Sequence, residues 1–83
     1  MKEITLYTTL GCHLCDQAEV MLNQLIDKQL VSDCTLSLVE ISEDDRLMDL
    51  YGIRIPVFAL KDNELGWPFD LTELQNWINS ARK

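Results

Sequence analysis

The sequence has few features that would distinguish it from an ordinary small globular protein. It has only three glycines and two prolines in 83 residues, which argues against low complexity or disorder. No apolar run approaches the roughly 18 residues that a membrane-spanning helix needs. The first segment, MKEITLYTTL, lacks the long apolar core of a secretory signal. We therefore expect one cytoplasmic domain over residues 1–83.

Basic residues are also scarce. Seven Lys and Arg stand against 14 Asp and Glu, which gives a net charge of −7. Nucleic-acid binding depends on cations that neutralise phosphates, and anionic membrane surfaces attract the same cations. The charge therefore disfavours both partners. It favours a soluble protein, which we expect to be a monomer, and it is also compatible with a preference for basic partners.

Three cysteines are present, and an odd number does not suggest a disulfide framework. Cys12 and Cys15 form a close pair, which in a reducing compartment is more typical of catalysis or metal binding than of a structural disulfide. Cys34 begins a predicted strand. We interpret it as a buried, inert thiol, with a regulatory or metal-binding thiol as the alternative.

The apolar pattern changes period several times along the chain, which predicts alternating strands and helices. Residues Ser32 and Asp33 are expected to close the first helix. The predicted elements are a strand over 3–8, a helix from Cys12 to about Leu30, a strand over 35–41, a helix ending at Gly52, strands over 57–60 and 64–67, and a helix from Asp70.

Capping patterns support the two later helices. Ser42 with Asp45 resembles a capping box that uses Asp, and Asp70 with Glu73 forms a second box. The order β-α-β-α-β-β-α predicts a right-handed parallel βαβ unit followed by a hairpin. The expected fold is therefore α/β, with one four-stranded mixed sheet and helices on both faces.

The cysteine pair lies where the first strand ends and the first helix begins. A helix N-terminus presents free N–H groups and partial positive charge, and such a position lowers a cysteine pKa from about 8.5 to about 3.5–7.5. Cys12 is thus the predicted nucleophile and Cys15, one turn later, the resolving thiol. His13 has two interpretations: a positive charge that makes the pair more oxidising, or a solvated residue without a special role.

Zinc is the main chemical alternative for these residues. Structural zinc needs four ligands, and the soft or imidazole candidates are Cys12, Cys15, Cys34 and His13. His13 is adjacent to Cys12, which makes joint chelation awkward. The sequence contains neither a second Cys-x-x-Cys nor a His-x-x-x-His. We therefore predict no metal site.

Three segments carry a resemblance to a known family. They are LYTTLGCHLC at the cysteine pair, YGIRIPVF over 51–58, and GWPFDLTEL over 66–74. Together they resemble the thioredoxin superfamily, and more closely its small bacterial glutaredoxin-like proteins. The resemblance implies a thioredoxin-like, glutaredoxin-type fold. It also implies that Pro56 is cis beside the cysteine pair and that the Ile55 backbone pairs with an extended substrate; the alternative is an ordinary trans proline at a strand edge.

The resemblance further implies a thiol–disulfide oxidoreductase acting on protein disulfides or on glutathione mixed disulfides. No bound cofactor is expected, and glutathione would be a co-substrate. Asp70 matches the aspartate of glutathione-binding members, Trp67 replaces their second glycine, and Arg54 is the basic residue expected nearest the site. A binding module of the same fold, without turnover, is the alternative.

Overall fold

Strands and helices alternate along the chain in the predicted order β-α-β-α-β-β-α. The structure is a computed structural model that describes residues 2–31 and 34–81. Its elements are β1 (Lys2–Thr8), α1 (His13–Asp27), β2 (Cys34–Glu40), a short 3-10 turn (Ile41–Glu43), α2 (Asp45–Tyr51), β3 (Val57–Leu60), β4 (Asn63–Gly66) and α3 (Leu71–Ala81). None of these helices is long and apolar enough to cross a membrane.

The four strands form one mixed sheet in the order β2-β1-β3-β4, as predicted. β1 is parallel to β2, and β3 is antiparallel to both β1 and β4. Thr8 pairs with Glu40, Tyr7 with Val57, and Val57 with Gly66. The ends of β1, β2 and β4 therefore lie together with the start of β3, at what we call the Cys12 end of the sheet.

Side chains from alternate strand positions build a core on each face of the sheet. The main core joins β1 and β3 to α1 and α3, and its fully buried members include Ile4, Leu22, Phe58 and Leu74. A smaller core on the other face contains Ile41, Tyr51 and Val57, with Tyr7, Leu47 and Ile55 packed against it. Helices therefore cover both faces, as the mixed strand patterns predicted.

The capping prediction for α2 was wrong. Ser42 lies inside the 3-10 turn, and the N-cap is Asp44, whose carboxylate accepts from the N–H groups of Arg46 at 2.8 Å and Leu47 at 3.3 Å. The 3-10 turn over Ile41–Glu43 takes up Ser42, so Asp44 is the residue that directly precedes the first helical residue and caps it. The predicted box of α3 is confirmed: Asp70 accepts from the Glu73 N–H at 2.7 Å, and Glu73 accepts from the Asp70 N–H at 3.3 Å.

Other differences concern the ends and faces of elements. α1 ends at Asp27, three residues before the predicted limit, and Gln29 then takes a left-handed φ of 58°. The predicted closing residues Ser32 and Asp33 lie outside the described residues. Leu14, at the start of α1, is 41% exposed and Leu38 of β2 is 52% exposed, so both lie at the surface.

Candidate active site

The cysteine pair stands at the N-terminus of α1 and forms a disulfide, with the two Cα atoms 5.2 Å apart. Cys12 is the N-cap residue of α1, and its Sγ accepts a hydrogen bond from the Cys15 N–H at 3.1 Å. Cys15 is 2% exposed, whereas Cys12 is only half-buried. Cys12 is therefore the more accessible residue of the pair.

The helix supplies the electrostatic environment of the Cys12 sulfur. An N-cap side chain normally offers an oxygen to the unpaired N–H groups of the first turn. Here a sulfur takes that place, so the same N–H groups and the helix dipole would stabilise a Cys12 thiolate in the reduced protein. This geometry lowers the pKa of a thiol and increases the thiolate fraction at neutral pH.

The loop that leads into α1 is fixed from outside by Glu40, at the end of β2. One carboxylate oxygen of Glu40 accepts from the Leu10 N–H at 2.9 Å, and the other accepts from the Ser42 N–H at 3.1 Å. The Ser42 N–H and then the Thr9 side chain lower the pKa of Glu40. Glu40 was not among the residues predicted for the site. The sequence feature that could have indicated it is an acidic residue at the end of the strand predicted to pair with β1.

Within this loop the backbone turns sharply. The Cys12 N–H donates to the Thr9 carbonyl at 3.2 Å. Gly11 has a φ of +85°, which side-chain-bearing residues rarely adopt. The turn thus brings Cys12 out of the strand and onto the start of the helix.

The Ile55–Pro56 peptide bond is cis in the structure. Because Val57 pairs with Tyr7, the preceding Pro56 lies at the Cys12 end of the sheet, beside the strand that leads to the cysteine pair. The Pro56 carbonyl accepts from the Trp67 N–H at 3.1 Å, and the Ile55 N–H donates to the Tyr51 carbonyl at 3.1 Å. The Ile55 N–H is thus hydrogen-bonded within the protein.

Arg54 is held by intramolecular contacts. Its guanidinium lies 2.8 Å from a carboxylate oxygen of Glu64 and 5.2 Å from the centre of the Tyr51 ring, and it also donates to the Leu50 carbonyl at 3.3 Å. Tyr51 donates its hydroxyl to the other Glu64 oxygen at 2.6 Å. The Tyr51 and then the Arg54 hydrogen bonds lower the pKa of Glu64, and the Glu64 hydrogen bond, followed by burial, raises the pKa of Tyr51.

Trp67 and Asp70, the other residues predicted to contact glutathione, also have structural roles. Trp67 is half-buried and packs edge-on against Phe69, with ring centres 5.1 Å apart. The Trp67–Pro68 bond is a second cis bond, which the sequence analysis did not anticipate. Asp70 is exposed and caps α3 through its exchange with Glu73.

His13 and Cys34 complete the set of residues singled out in the sequence. His13 is the first residue of α1 and is exposed. Cys34 is half-buried and packs against the main core from the start of β2, opposite the Cys12 end of the sheet. Among residues 2–31 and 34–81, no three His, Cys, Asp or Glu side chains are arranged to hold a metal ion. Metal analysis of the protein is the test of the zinc alternative.

Residues 3–79 match the sequence profile of the Glutaredoxin-like domain family (DUF836). The chain belongs to this family. The match includes every residue proposed for the site, from Cys12 to Asp70, so the resemblance drawn from the three sequence segments is confirmed at the level of the family.

Solved structures support the same assignment of this glutaredoxin-like chain. Protein XcR50 from X. campestris is 37% identical, with a TM-score of 0.80 over 93% of this chain and 96% of that one. Protein Ne2328 from Nitrosomonas europaea is 28% identical, with a TM-score of 0.76 over 93% and 91%. A mutant thioredoxin from Halobacterium salinarum, 19% identical with a TM-score of 0.73 over 99% and 75%, shares the fold. No curated protein matches the chain. Family, fold and the bonded cysteine pair together support a redox-type role.

Proposed function

We propose that this protein is a thiol–disulfide oxidoreductase in which Cys12 is the nucleophile and Cys15 the resolving thiol. The observation that carries the proposal is the position of Cys12 at the N-cap of α1, bonded to Cys15 and more accessible than it. A structural disulfide gains nothing from such a position. A reactive thiolate gains both stabilisation and access.

The reaction is a two-electron exchange in two steps. In the reduced protein the Cys12 thiolate attacks one sulfur of a substrate disulfide, the substrate S–S bond breaks, and the leaving sulfur takes a proton from solvent. Cys15 then loses its proton and attacks the Cys12 sulfur of the mixed disulfide, which releases the second substrate thiol. The substrate is reduced, the protein returns to the Cys12–Cys15 disulfide, and an external thiol reductant must restore the dithiol.

The substrate-binding part of the proposal rests on the residues at the Cys12 end of the sheet. Pro56 lies beside the strand that leads to Cys12, and its carbonyl accepts from the Trp67 N–H. Ile55 and Asp70 follow from the family resemblance, and Arg54 was predicted as the basic residue nearest the site. Protein disulfides and glutathione mixed disulfides both suit the exchange. His13, exposed on the first turn of α1, is proposed to tune the pair through its charge.

Trapping the mixed disulfide tests the reaction. The variant Cys15→Ser, made in a Cys34→Ser background, keeps a single thiol that attacks but lacks the thiol that resolves. Mixed with the neutral 2-hydroxyethyl disulfide, it is expected to accumulate one adduct on Cys12, read by mass. The matched variant Cys12→Ser in the same background leaves the buried Cys15 and should form little adduct. Equal labelling of the two variants would contradict the assigned roles, and no adduct on either would favour a binding module that does not turn over.

A further inference from the structure

A groove of about 290 Å³ lies against the loop that leads into Cys12, although neither cysteine lines it. Its wall includes the loop residues from Thr8 to Gly11, which immediately precede Cys12, together with side chains of α1 and β2. Three of the lining residues are acids, namely Asp16, Glu19 and Glu40, and none of the described lining residues is Lys or Arg. Because this loop joins Cys12, a substrate that contacts both Cys12 and the groove meets three carboxylates.

The basic side chains of the described chain do not offset this charge. Arg54 is paired with Glu64 at 2.8 Å. Lys28 follows the end of α1 and Lys61 lies in the turn after β3, which places both away from the Cys12 end of the sheet. Arg46 stands in α2 in a run that also contains Glu43, Asp44, Asp45 and Asp49. None of these cations lines the groove, so no neighbouring Lys or Arg of the described chain offsets its three carboxylates.

The same groove also offers apolar surface. Leu10 and Leu38 line it and are 93% and 52% exposed. Lysine and arginine side chains place their hydrocarbon stems on apolar surface while the charged head remains among polar groups. Leucines next to carboxylates thus match a basic side chain better than they match an acidic or a purely apolar one.

We propose, on the basis of the thiol–disulfide exchange proposed above, that this site prefers disulfides with positive charge close to their sulfur atoms, and that its substrates are protein disulfides flanked by Lys or Arg. Oxidised glutathione, which carries two net negative charges, is disfavoured. Arg54 and Asp70 are the residues expected to hold glutathione, and both have partners within the protein. Arg54 pairs with Glu64, and Asp70 caps α3. The specificity thus comes from Asp16, Glu19 and Glu40 beside the nucleophile.

Three small disulfides that differ in charge test this preference. The full chain carrying Cys15→Ser and Cys34→Ser is mixed with cystamine (two positive charges), 2-hydroxyethyl disulfide (neutral) or oxidised glutathione. The rate of adduct formation on Cys12 is measured by mass. Each rate is divided by that of the same disulfide with dithiothreitol, because the three differ in intrinsic reactivity.

One carboxylate at roughly 6–10 Å from a unit charge changes a rate about two- to threefold in a water-like dielectric. Three carboxylates acting on opposite charges should therefore give a normalised cystamine-to-glutathione ratio of at least about tenfold at low salt. At about 1 M salt the Debye length shrinks to roughly 3 Å, and the ratio should fall to within about threefold. A normalised ratio near one at low salt, or a faster reaction with glutathione disulfide, would overturn the proposal.

Charge-removing variants locate the effect. Asp16→Asn together with Glu19→Gln should lower the normalised ratio by at least about fourfold, because each carboxylate acts in opposite directions on the two charged disulfides. Asp27→Asn, which removes the same kind of charge from the far end of α1, should leave it unchanged. A ratio that falls equally in both variants would show a general charge effect and contradict a role for the groove. If none of the three disulfides forms an adduct on Cys12, the exchange reaction itself fails, which is distinct from an exchange that occurs without charge preference.

Discussion

Replacing Tyr51 with phenylalanine removes one hydroxyl from the cluster that joins α2 to the β3–β4 hairpin. That hydroxyl donates to Glu64 at 2.6 Å, and Glu64 in turn binds Arg54 at 2.8 Å. The Tyr51 ring stacks on Tyr7 with centres 4.1 Å apart, and a phenylalanine ring preserves this contact. The variant therefore isolates the hydrogen bond from the packing.

The expected loss can be worked from these contacts. A hydrogen bond with one charged partner contributes about 1.5–3 kcal/mol to stability. The Glu64 side chain is 38% exposed, so water competes for it, and the lower part of that range applies. We expect a loss of about 1–2 kcal/mol in the free energy of unfolding. In a domain of this size that corresponds to a melting temperature lower by roughly 5–12 °C.

The loss should depend on pH. The Tyr51 and Arg54 hydrogen bonds depress the pKa of Glu64 below its ordinary value of 4.5. A depressed folded-state pKa gives stability that is present above pH 4.5 and lost as the pH falls through the folded-state pKa. The difference between the wild-type protein and Tyr51→Phe should therefore be complete at pH 7 and shrink below pH 4.5. Urea unfolding followed by tryptophan fluorescence at pH 7 and at pH 3.5 measures both values.

Asp62→Asn is the matched control, because Asp62 is an exposed acid in the turn of the same hairpin. It should change the free energy of unfolding by less than about 0.5 kcal/mol at either pH. A wild-type urea midpoint for Tyr51→Phe at pH 7 would contradict a stabilising hydrogen bond. A difference between the two proteins that is as large at pH 3.5 as at pH 7 would contradict the dependence on the charge of Glu64.

Three further predictions concern residues that fix the backbone around the site. Asp70→Ala should lower stability by about 1 kcal/mol in thermal unfolding, because α3 loses its cap. Asp70→Asn, which keeps a capping side chain, should lower it by only a few tenths of a kcal/mol. Equal losses in the two variants would argue against the capping role. Gly11→Ala should cost about 1–2 kcal/mol from the positive φ alone, since an added Cβ meets nothing within 4 Å; a variant of wild-type stability would contradict this. Glu40→Ala should speed amide hydrogen exchange at Leu10 more than Glu40→Gln, which retains an acceptor, and unchanged exchange in both would remove Glu40 from the loop's support.

Local patterns in the sequence were sufficient to predict most of the fold. Ile4 and Leu6 alternate as a half-buried strand requires, and Ala18, Leu22 and Leu25 recur at helical spacing; all five are buried in the main core. The helix that carries the cysteine pair was predicted for the same reason. These features depend on neighbours within a few positions of the chain, which is the range that periodicity reports.

Features of the site that depend on distant pairs were not predicted. The Glu40 carboxylate accepts from the Leu10 N–H although the two residues are 30 positions apart, and Glu64 pairs with Arg54, 10 positions away. A single sequence does not show which of 14 acids meets a given N–H or guanidinium. The prediction of the α2 cap was wrong for a different reason. Ser42 and Asp44 are both competent caps, and the 3-10 turn that decides between them forms only in the folded context.

The pH dependence of cysteine alkylation tests most directly the central claim that Cys12 is a reactive thiolate at the start of α1. The reduced protein is treated with iodoacetamide between pH 5 and pH 9, and labelling of Cys12 and Cys34 is followed by mass. The rate at Cys12 is expected to rise with a midpoint below about pH 7.5 and to exceed the rate at Cys34 at pH 7. A midpoint near 8.5 for Cys12, with labelling as slow as at Cys34, would contradict it.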